Sequence, residues 1–220
     1  MKKLLSVLLT VVLLIGAMPT MAFAAENEYS KADYQAVFDK LNSRYGTGTR
    51  FATPEELQKI GLKPEKINIS PAEYEKEMIK AIEAEATVTR EAVIASQKLR
   101  RVQADESGSG ICVPGKSVTP LAAYYHTKRI TGANAHLEAT VNNTGGFWSF
   151  GQIGNVWTSA DQSIPYPWFA AQSYNYTLLD TRRTCAISFS GYTIDRYGSI
   201  VSSNASRYVE FWAGTNMGTP

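Results

Sequence analysis

Residues 184–193 read TCAISFSGYT, and this stretch decides how the second half of the chain folds. In it, Cys185, Ile187 and Phe189 alternate with small or polar residues. Successive side chains of a strand point to opposite faces, so this alternation predicts a strand with one buried face and one small, polar face. The stretch therefore indicates a β-sheet that packs on one side.

The chain has two cysteines, Cys112 and Cys185. We predict a disulfide between them that ties the start of the β-region to this strand. On the chain-entropy model, closing a loop of this length stabilises the fold by about 4 to 5 kcal/mol. The alternatives are two free thiols or a metal pair, and the lack of a CxxC spacing argues against the metal pair.

Short runs of alternating residues recur on both sides of this strand, separated by glycine, asparagine and aspartate. These runs lie at 121–131, 135–141, 147–157, 174–178 and 207–213. Many short strands joined by frequent turns are typical of an antiparallel β-sandwich or a small barrel. The sequence therefore predicts an all-β domain over residues 111–220, closed by the disulfide.

Residues 25–104 differ from the rest, because helix signals replace the alternation. An apolar stripe over 31–45 predicts the first helix, and cap-and-proline signals at Thr53 and Ser70 start two more. Residues 105–110 are rich in serine and glycine and are predicted to be a linker. The predicted fold class is α+β, a helical N-terminal region followed by the β-sandwich or small barrel.

Two interpretations of the helical region remain open. It is either an appendage packed on the β-domain or a pro-region that is removed on maturation. Arg100 and Arg101 precede a segment of small polar residues, and proteolytic nicking concentrates in such segments when they are exposed. Cleavage between residues 100 and 110 would release the β-domain from the helices.

The first 24 residues have the order of parts of a secretory signal peptide. Lys2 and Lys3 precede an apolar stretch over 4–17, and a small-x-small motif ends at Ala24. The alternative is a membrane anchor, but this stretch rises only about 21 Å as a helix, whereas the hydrocarbon core is about 30 Å thick. We expect cleavage after Ala24 and a secreted bacterial protein with no stable membrane anchor in its mature form.

The charge of the chain bears on its partners. The formal net charge of +2 falls to zero once Lys2 and Lys3 are removed with the signal peptide. A neutral protein has no bulk electrostatic attraction for nucleic acid or for an anionic membrane. We therefore predict no nucleic-acid partner.

Aromatic residues are the strongest hint of function, since all four tryptophans lie after residue 110. Exposed flat rings suit stacking on the faces of sugars or docking against a partner protein. The candidate binding residues are Trp148, Tyr166, Trp168, Tyr174 and Tyr176. The alternative is that these rings cap the β-domain and belong to its core.

Two sets of polar residues could also bind ligands. His136 and Glu138 share one face of a predicted strand, and with His126 on the preceding strand they could hold zinc or copper if the register aligned them. The simpler alternative is a solvated sheet face, and we predict no metal and no other cofactor. Arg182 and Arg183 could hold an anionic group or simply be solvated.

Three functional hypotheses follow. The sequence contains no GxSxG elbow, HExxH helix or glycine-rich phosphate loop, which favours a secreted non-enzymatic protein whose β-domain binds a cell-surface glycan or protein. The second hypothesis is a secreted toxin or bacteriocin-like effector with a removable helical pro-region. The third is a hydrolase whose acidic residues converge only in space. The acids of the β-region are Glu138, Asp161, Asp180, Asp195 and Glu210.

Overall fold

The computed structural model describes most of the chain after the predicted signal peptide, and residues 1–24 lie outside the described part. The described residues are 29–99, 104–112, 124–161, 163 and 167–214. Within them, no helix is both long enough and apolar enough to cross a membrane.

Three helices form the N-terminal part of the described chain. Their bounds are α1 Lys31–Tyr45, α2 Pro54–Ile60 and α3 Pro71–Leu99. At the start of α2, the Thr53 hydroxyl accepts the backbone N–H of Glu56 at 3.3 Å, and the Glu56 carboxylate accepts the backbone N–H of Thr53 at 2.8 Å. This reciprocal cap satisfies two backbone donors that the helix itself leaves unbonded. The helix start predicted at Thr53 is confirmed.

Eight strands follow or interrupt the helices in the described chain. Their bounds are β1 Arg50–Phe51, β2 Glu106–Ile111, β3 Tyr124–Ile130, β4 Ala133–Thr144, β5 Phe147–Ala160, β6 Trp168–Leu179, β7 Thr184–Ile194 and β8 Ser199–Trp212. A five-stranded sheet, in the order β1-β8-β7-β6-β2, curls into a half-barrel, and β3-β4-β5 form a second sheet. All strand pairs are antiparallel. The predicted α+β class is confirmed.

The main core lies between the two sheets. Cys185, Ile187 and Phe189 of β7 are buried there against side chains of the smaller sheet, among them Leu137 and Phe150. The alternation in residues 184–193 therefore placed this buried face correctly. The opposite face, predicted to be small and polar, is also largely buried, because Ala186 is only 2% and Tyr192 only 3% exposed. Full burial of a large apolar side chain stabilises the folded state by about 1.5 to 3 kcal/mol, so this row contributes substantially to the fold.

The helical region and the β-region share a second core. Tyr74 and Met78 of α3 pack in one buried cluster with Tyr197 and Val201, which come from the β7–β8 turn and from β8. The short strand β1, which lies between two helices, also pairs with β8. The helices are therefore joined to the larger sheet by packing and by backbone hydrogen bonds.

A buried ion pair crosses this junction. Glu85 of α3 and Arg207 of β8 form two parallel bonds of 2.7 Å, with side chains only 3% and 2% exposed. Arg207 Nε also donates to the carbonyl oxygen of Thr131 at 2.7 Å. A bidentate contact of this kind holds both side chains in one geometry, and it fixes the position of α3 on the sheet.

The predicted linker is not a linker. Most of residues 105–110 belong to β2, Glu106–Ile111, which pairs with β6. The segment is poor in apolar residues, so its strand state depends on the partner strand and on the ring of Tyr176, which lies against Gly108. These contacts come from outside the segment, and its own sequence does not signal a strand.

The predicted disulfide is not formed, because Cys112 and Cys185 are both buried free thiols. The Cys112 N–H bonds to the carbonyl of Gln172 near one end of β6, whereas Cys185 pairs with Leu178 near the other end. Gln172 and Leu178 are about 20 Å apart along β6, at 3.3 Å per residue. A disulfide needs the two Cα atoms within about 7 Å of each other. Burial raises the pKa of each thiol to about 12.

Candidate functional site

Two aromatic rings of the described strands are largely exposed. Trp212 at the end of β8 is 62% exposed, and Phe147 at the start of β5 is 43% exposed. Neither ring belongs to the candidate set that the sequence suggested. Trp212 follows the fully buried Phe211, so the alternation along β8 turns the tryptophan out of the core.

The Trp212 ring lines an open cleft of about 1010 Å³, which we call the Trp212 cleft. The cleft lies between β3, the β6–β7 turn and the end of β8. Its polar lining consists mainly of His126, Lys128, Asp180, Arg183 and Glu210. The size is that of a small-molecule or oligosaccharide site, and the lining combines an aromatic surface with hydrogen-bond donors and acceptors.

One wall of the cleft is a strained turn between β6 and β7. Asp180, Thr181 and Arg182 have φ values of 56°, 58° and 63°, and a non-glycine residue in this region costs about 1 to 3 kcal/mol. The Arg182 N–H donates to Asp105 Oδ2 at 2.9 Å, and its carbonyl accepts the N–H of Phe150 at 2.7 Å. Its guanidinium also donates to the carbonyl of Phe150 at 2.8 Å. These contacts hold the turn, and with it the cleft wall, in place.

Two cations border the cleft. Lys128 Nζ lies 4.9 Å from the ring centroid of Trp212 and donates to the carbonyl oxygen of Glu210 at 2.5 Å. The guanidinium of Arg183 lies 5.1 Å from the ring centroid of Phe147. Each cation therefore contacts one of the two exposed rings, in the geometry of a cation–π interaction.

The two carboxylates of the cleft accept hydrogen bonds from nearby hydroxyls. Asp180 Oδ2 accepts the Thr184 hydroxyl at 2.9 Å, and Glu210 Oε1 accepts the Tyr208 hydroxyl at 2.5 Å. Because a carboxylate offers about four acceptor positions, both groups retain capacity for a ligand. The cleft can therefore accept hydrogen bonds as well as donate them.

His126 contributes an unsatisfied polar atom. Its Nδ1 is buried and has no hydrogen-bond partner among the described residues, while the ring meets Phe211 edge-on with centroids 5.2 Å apart. Burial, and then the charge of Lys128, lower the pKa of His126. A neutral imidazole here can donate a hydrogen bond from one ring nitrogen and accept one at the other.

The three residues considered for a metal site do not converge. His126 pairs across the strands with Leu137, so its side chain shares the inner face of the smaller sheet, whereas His136 and Glu138 point to the outer face. Glu138 is bound by the Asn155 amide at 2.6 Å. Within the described part of the chain, no three His, Cys, Asp or Glu side chains form a group that could hold a metal.

His136 belongs to a polar and aromatic cluster on that outer face. Its Nδ1 lies 2.6 Å from the Tyr125 hydroxyl, its Nε2 lies 2.7 Å from Ser159 Oγ, and its ring stacks on Trp157 with centroids 5.0 Å apart. Burial lowers the pKa of His136. Both nitrogens have partners, so the imidazole has a structural role in this sheet.

The aromatic residues suggested by the sequence lie elsewhere. Tyr174 and Tyr176 are half-buried against the core and cover two glycines of β2, and the Tyr176 hydroxyl donates to Glu106 at 3.1 Å. Trp148 and Trp168 are half-buried on β5 and β6. None of these four residues lines the Trp212 cleft.

The remaining candidate, Tyr166, lies outside the described residues.

The sequence did contain a signal for Trp212, because the alternation that places Val209 and Phe211 on one side of β8 places Trp212 on the other. It contained no signal for the cleft itself, which joins three segments that are distant in the chain.

Comparison of the chain with protein-family models, with curated proteins and with solved structures gave no match. The functional argument therefore depends on the geometry of the cleft.

Proposed function

We propose that the protein is a secreted, non-enzymatic bacterial protein whose two-sheet domain, a β-sandwich, binds a cell-surface glycan in the Trp212 cleft. The observation that carries this proposal is the 62% exposed ring of Trp212 on the wall of a cleft of about 1010 Å³. A sugar ring has an apolar C–H face that packs on an aromatic ring, and its hydroxyls need donors and acceptors around it. Lys128, Arg183, Asp180 and Glu210 supply both kinds of group.

A glycan fits this surface better than a partner protein does. A stable protein interface buries about 800 Å² on each side around an apolar centre. Among the described strands, the exposed aromatic rings are Trp212 in the cleft and Phe147, each beside a cation. A concave, mixed polar and aromatic lining suits a narrow ligand that enters the cleft.

Retention on purified bacterial cell walls tests the proposal. We expect the wild type to be retained and Trp212→Ala to lose about 5- to 160-fold in affinity, taking as the scale for a sugar ring the roughly 1 to 3 kcal/mol by which a nucleobase stacks on an aromatic side chain. Tyr29→Ala removes an exposed ring on the helical side and is the matched control. Because Trp212 is largely exposed, its removal should leave the melting temperature unchanged. Equal retention of both variants and the wild type would contradict the proposal.

A second candidate function is glycoside hydrolysis, because Asp180 and Glu210 line the same cleft. Most glycosidases use two carboxylates on either side of the scissile bond. Incubation with cell walls, followed by assay of new reducing ends, separates the two functions. Hydrolysis that is lost in both Asp180→Asn and Glu210→Gln would favour the enzyme, and binding without new reducing ends would favour the non-enzymatic protein.

A further inference from the structure

We propose that the sugar bound in the Trp212 cleft carries a carboxylate, as a uronic acid does. This inference rests on the glycan-binding function proposed above and adds the chemical class of the ligand. It is drawn from three residues that line the cleft, Lys128, Arg183 and His126. Each of them has a charge or a hydrogen-bonding atom that no described residue satisfies.

The two cations differ from their neighbours in the chain. Arg129 forms a salt bridge with Asp161 at 3.0 Å, and Arg182 forms one with Glu106. Lys128 and Arg183, one residue away in each case, form no salt bridge with any described residue. Of these four neighbouring cations, the two that line the cleft are the ones without a salt bridge to any described residue.

Both cations keep donors for a ligand. An ammonium has three donors, and among the described residues Lys128 uses one of them, on the carbonyl of Glu210. A guanidinium has five donors in a planar fork that matches the two oxygens of a carboxylate. The guanidinium of Arg183 contacts the face of Phe147, which leaves the edge of the fork available.

The acids of the cleft do not neutralise these cations by direct contact. Asp180 is bonded to Thr184, and Glu210 is bonded to Tyr208. The formal charge of the cleft is nevertheless balanced, with two cations and two carboxylates around a neutral imidazole. A ligand with one negative charge per sugar is therefore accommodated more readily than a highly charged one, because the carboxylates repel additional negative charge.

The unsatisfied nitrogen of His126 predicts that the ligand also carries hydroxyl groups. A buried polar atom without a partner is uncommon in a folded protein, and Nδ1 of His126 is such an atom within the described chain. The ring lines the cleft, but Nδ1 itself is enclosed, so a sugar hydroxyl bonds to it only after the imidazole turns toward the ligand. Stacking on Trp212, a carboxylate near Lys128 and Arg183, and a hydroxyl at His126 together describe an acidic sugar.

Isothermal titration calorimetry with matched sugars tests the inference. The probes are trisaccharides of galacturonic, glucuronic, mannuronic and guluronic acid, each beside its carboxyl-reduced counterpart, which keeps the ring and loses the charge. We expect the wild type to bind at least one acid at least tenfold more tightly than its reduced form. Lys128→Met and Arg183→Met should each remove this preference while still binding the reduced sugar. Trp212→Ala should weaken both forms.

Arg129→Met, on the same strand as Lys128 but outside the cleft lining, is the matched control and should keep the preference. Thermal melts of each variant establish that it is folded. Equal binding of the acids and their reduced forms would overturn the carboxylate inference and leave glycan binding intact. Binding to cell walls without binding to any of the four acids would do the same. No binding to walls or to any trisaccharide would overturn both proposals.

Discussion

Substitution of Glu85 on α3 tests whether the helical region is an integral part of the fold. Its carboxylate forms two 2.7 Å bonds with Arg207, and both side chains are almost fully buried. In Glu85→Ala the guanidinium stays buried, with the carbonyls of Thr131 and Ser206 as its remaining bonded acceptors. Breaking a buried ion pair by removing one partner costs about 3 to 5 kcal/mol. We expect the free energy of unfolding to fall by this amount.

Two further variants separate the cause from other effects of the mutation. Glu83→Ala removes an exposed carboxylate from the same helix, and we expect it to change the free energy of unfolding by no more than about 0.5 kcal/mol. The double variant Glu85→Leu, Arg207→Met removes both charges and fills the space with apolar atoms. It should recover most of the lost stability, because replacing a buried pair by apolar residues is often neutral or stabilising.

Urea denaturation followed by tryptophan fluorescence and far-UV circular dichroism measures these differences. A loss below about 1 kcal/mol in Glu85→Ala would refute the reasoning, since that is the range of solvent-exposed pairs. A double variant as unstable as the single one would also refute it, because the uncompensated charge would then not be the source of the loss.

Three other predictions concern protonation, thiols and maturation. Burial raises the pKa of Asp195 to about 6 from 3.8. The protonated carboxyl therefore contributes about 3 kcal/mol to the free energy of unfolding below about pH 4, and this contribution is lost as the pH rises through 6. In Asp195→Asn, the free energy of unfolding measured by urea denaturation should depend less on pH across this range. Alkylation of the denatured protein without reductant should label both Cys112 and Cys185, as measured by mass spectrometry. A protein that stays unlabelled would instead indicate a disulfide between them. If the predicted signal peptide is cleaved, N-terminal sequencing of protein recovered from the culture medium should give Ala25, whereas a start near residue 110 would favour the removable pro-region.

The elements with local signals were predicted well. The apolar stripe over 31–45 gave the bounds of α1. The cap at Thr53 gave the start of α2, because the hydrogen bonds that start a helix come from residues within one turn of it. The alternation in residues 184–193 gave the buried face of β7, since that face depends only on the period of the strand. Thr87 and Thr89 have low helix propensity, yet α3 runs through both. Their hydroxyls bond to Glu83 and Glu85 within the helix.

The errors arose where the deciding contacts are not local. The segment that became β2 is held by β6 and by tyrosine rings from that strand. The two cysteines lie in the same core, yet at opposite ends of β6, and a cysteine count carries no information about register. The aromatic candidates lie in segments of the sequence that are rich in aromatic residues, whereas the exposure of a ring depends on which neighbours cover it.

By itself, the sequence determined the helices, most of the strands, the buried face of β7 and the α+β class, because these follow from spacing along a few residues. The tertiary structure decided which thiols and rings are covered and which residues share the Trp212 cleft. His126, Asp180 and Trp212 meet there because β3, the β6–β7 turn and the end of β8 are brought together by the closure of the two sheets. That closure depends on strand pairing between distant segments, which no local pattern specifies.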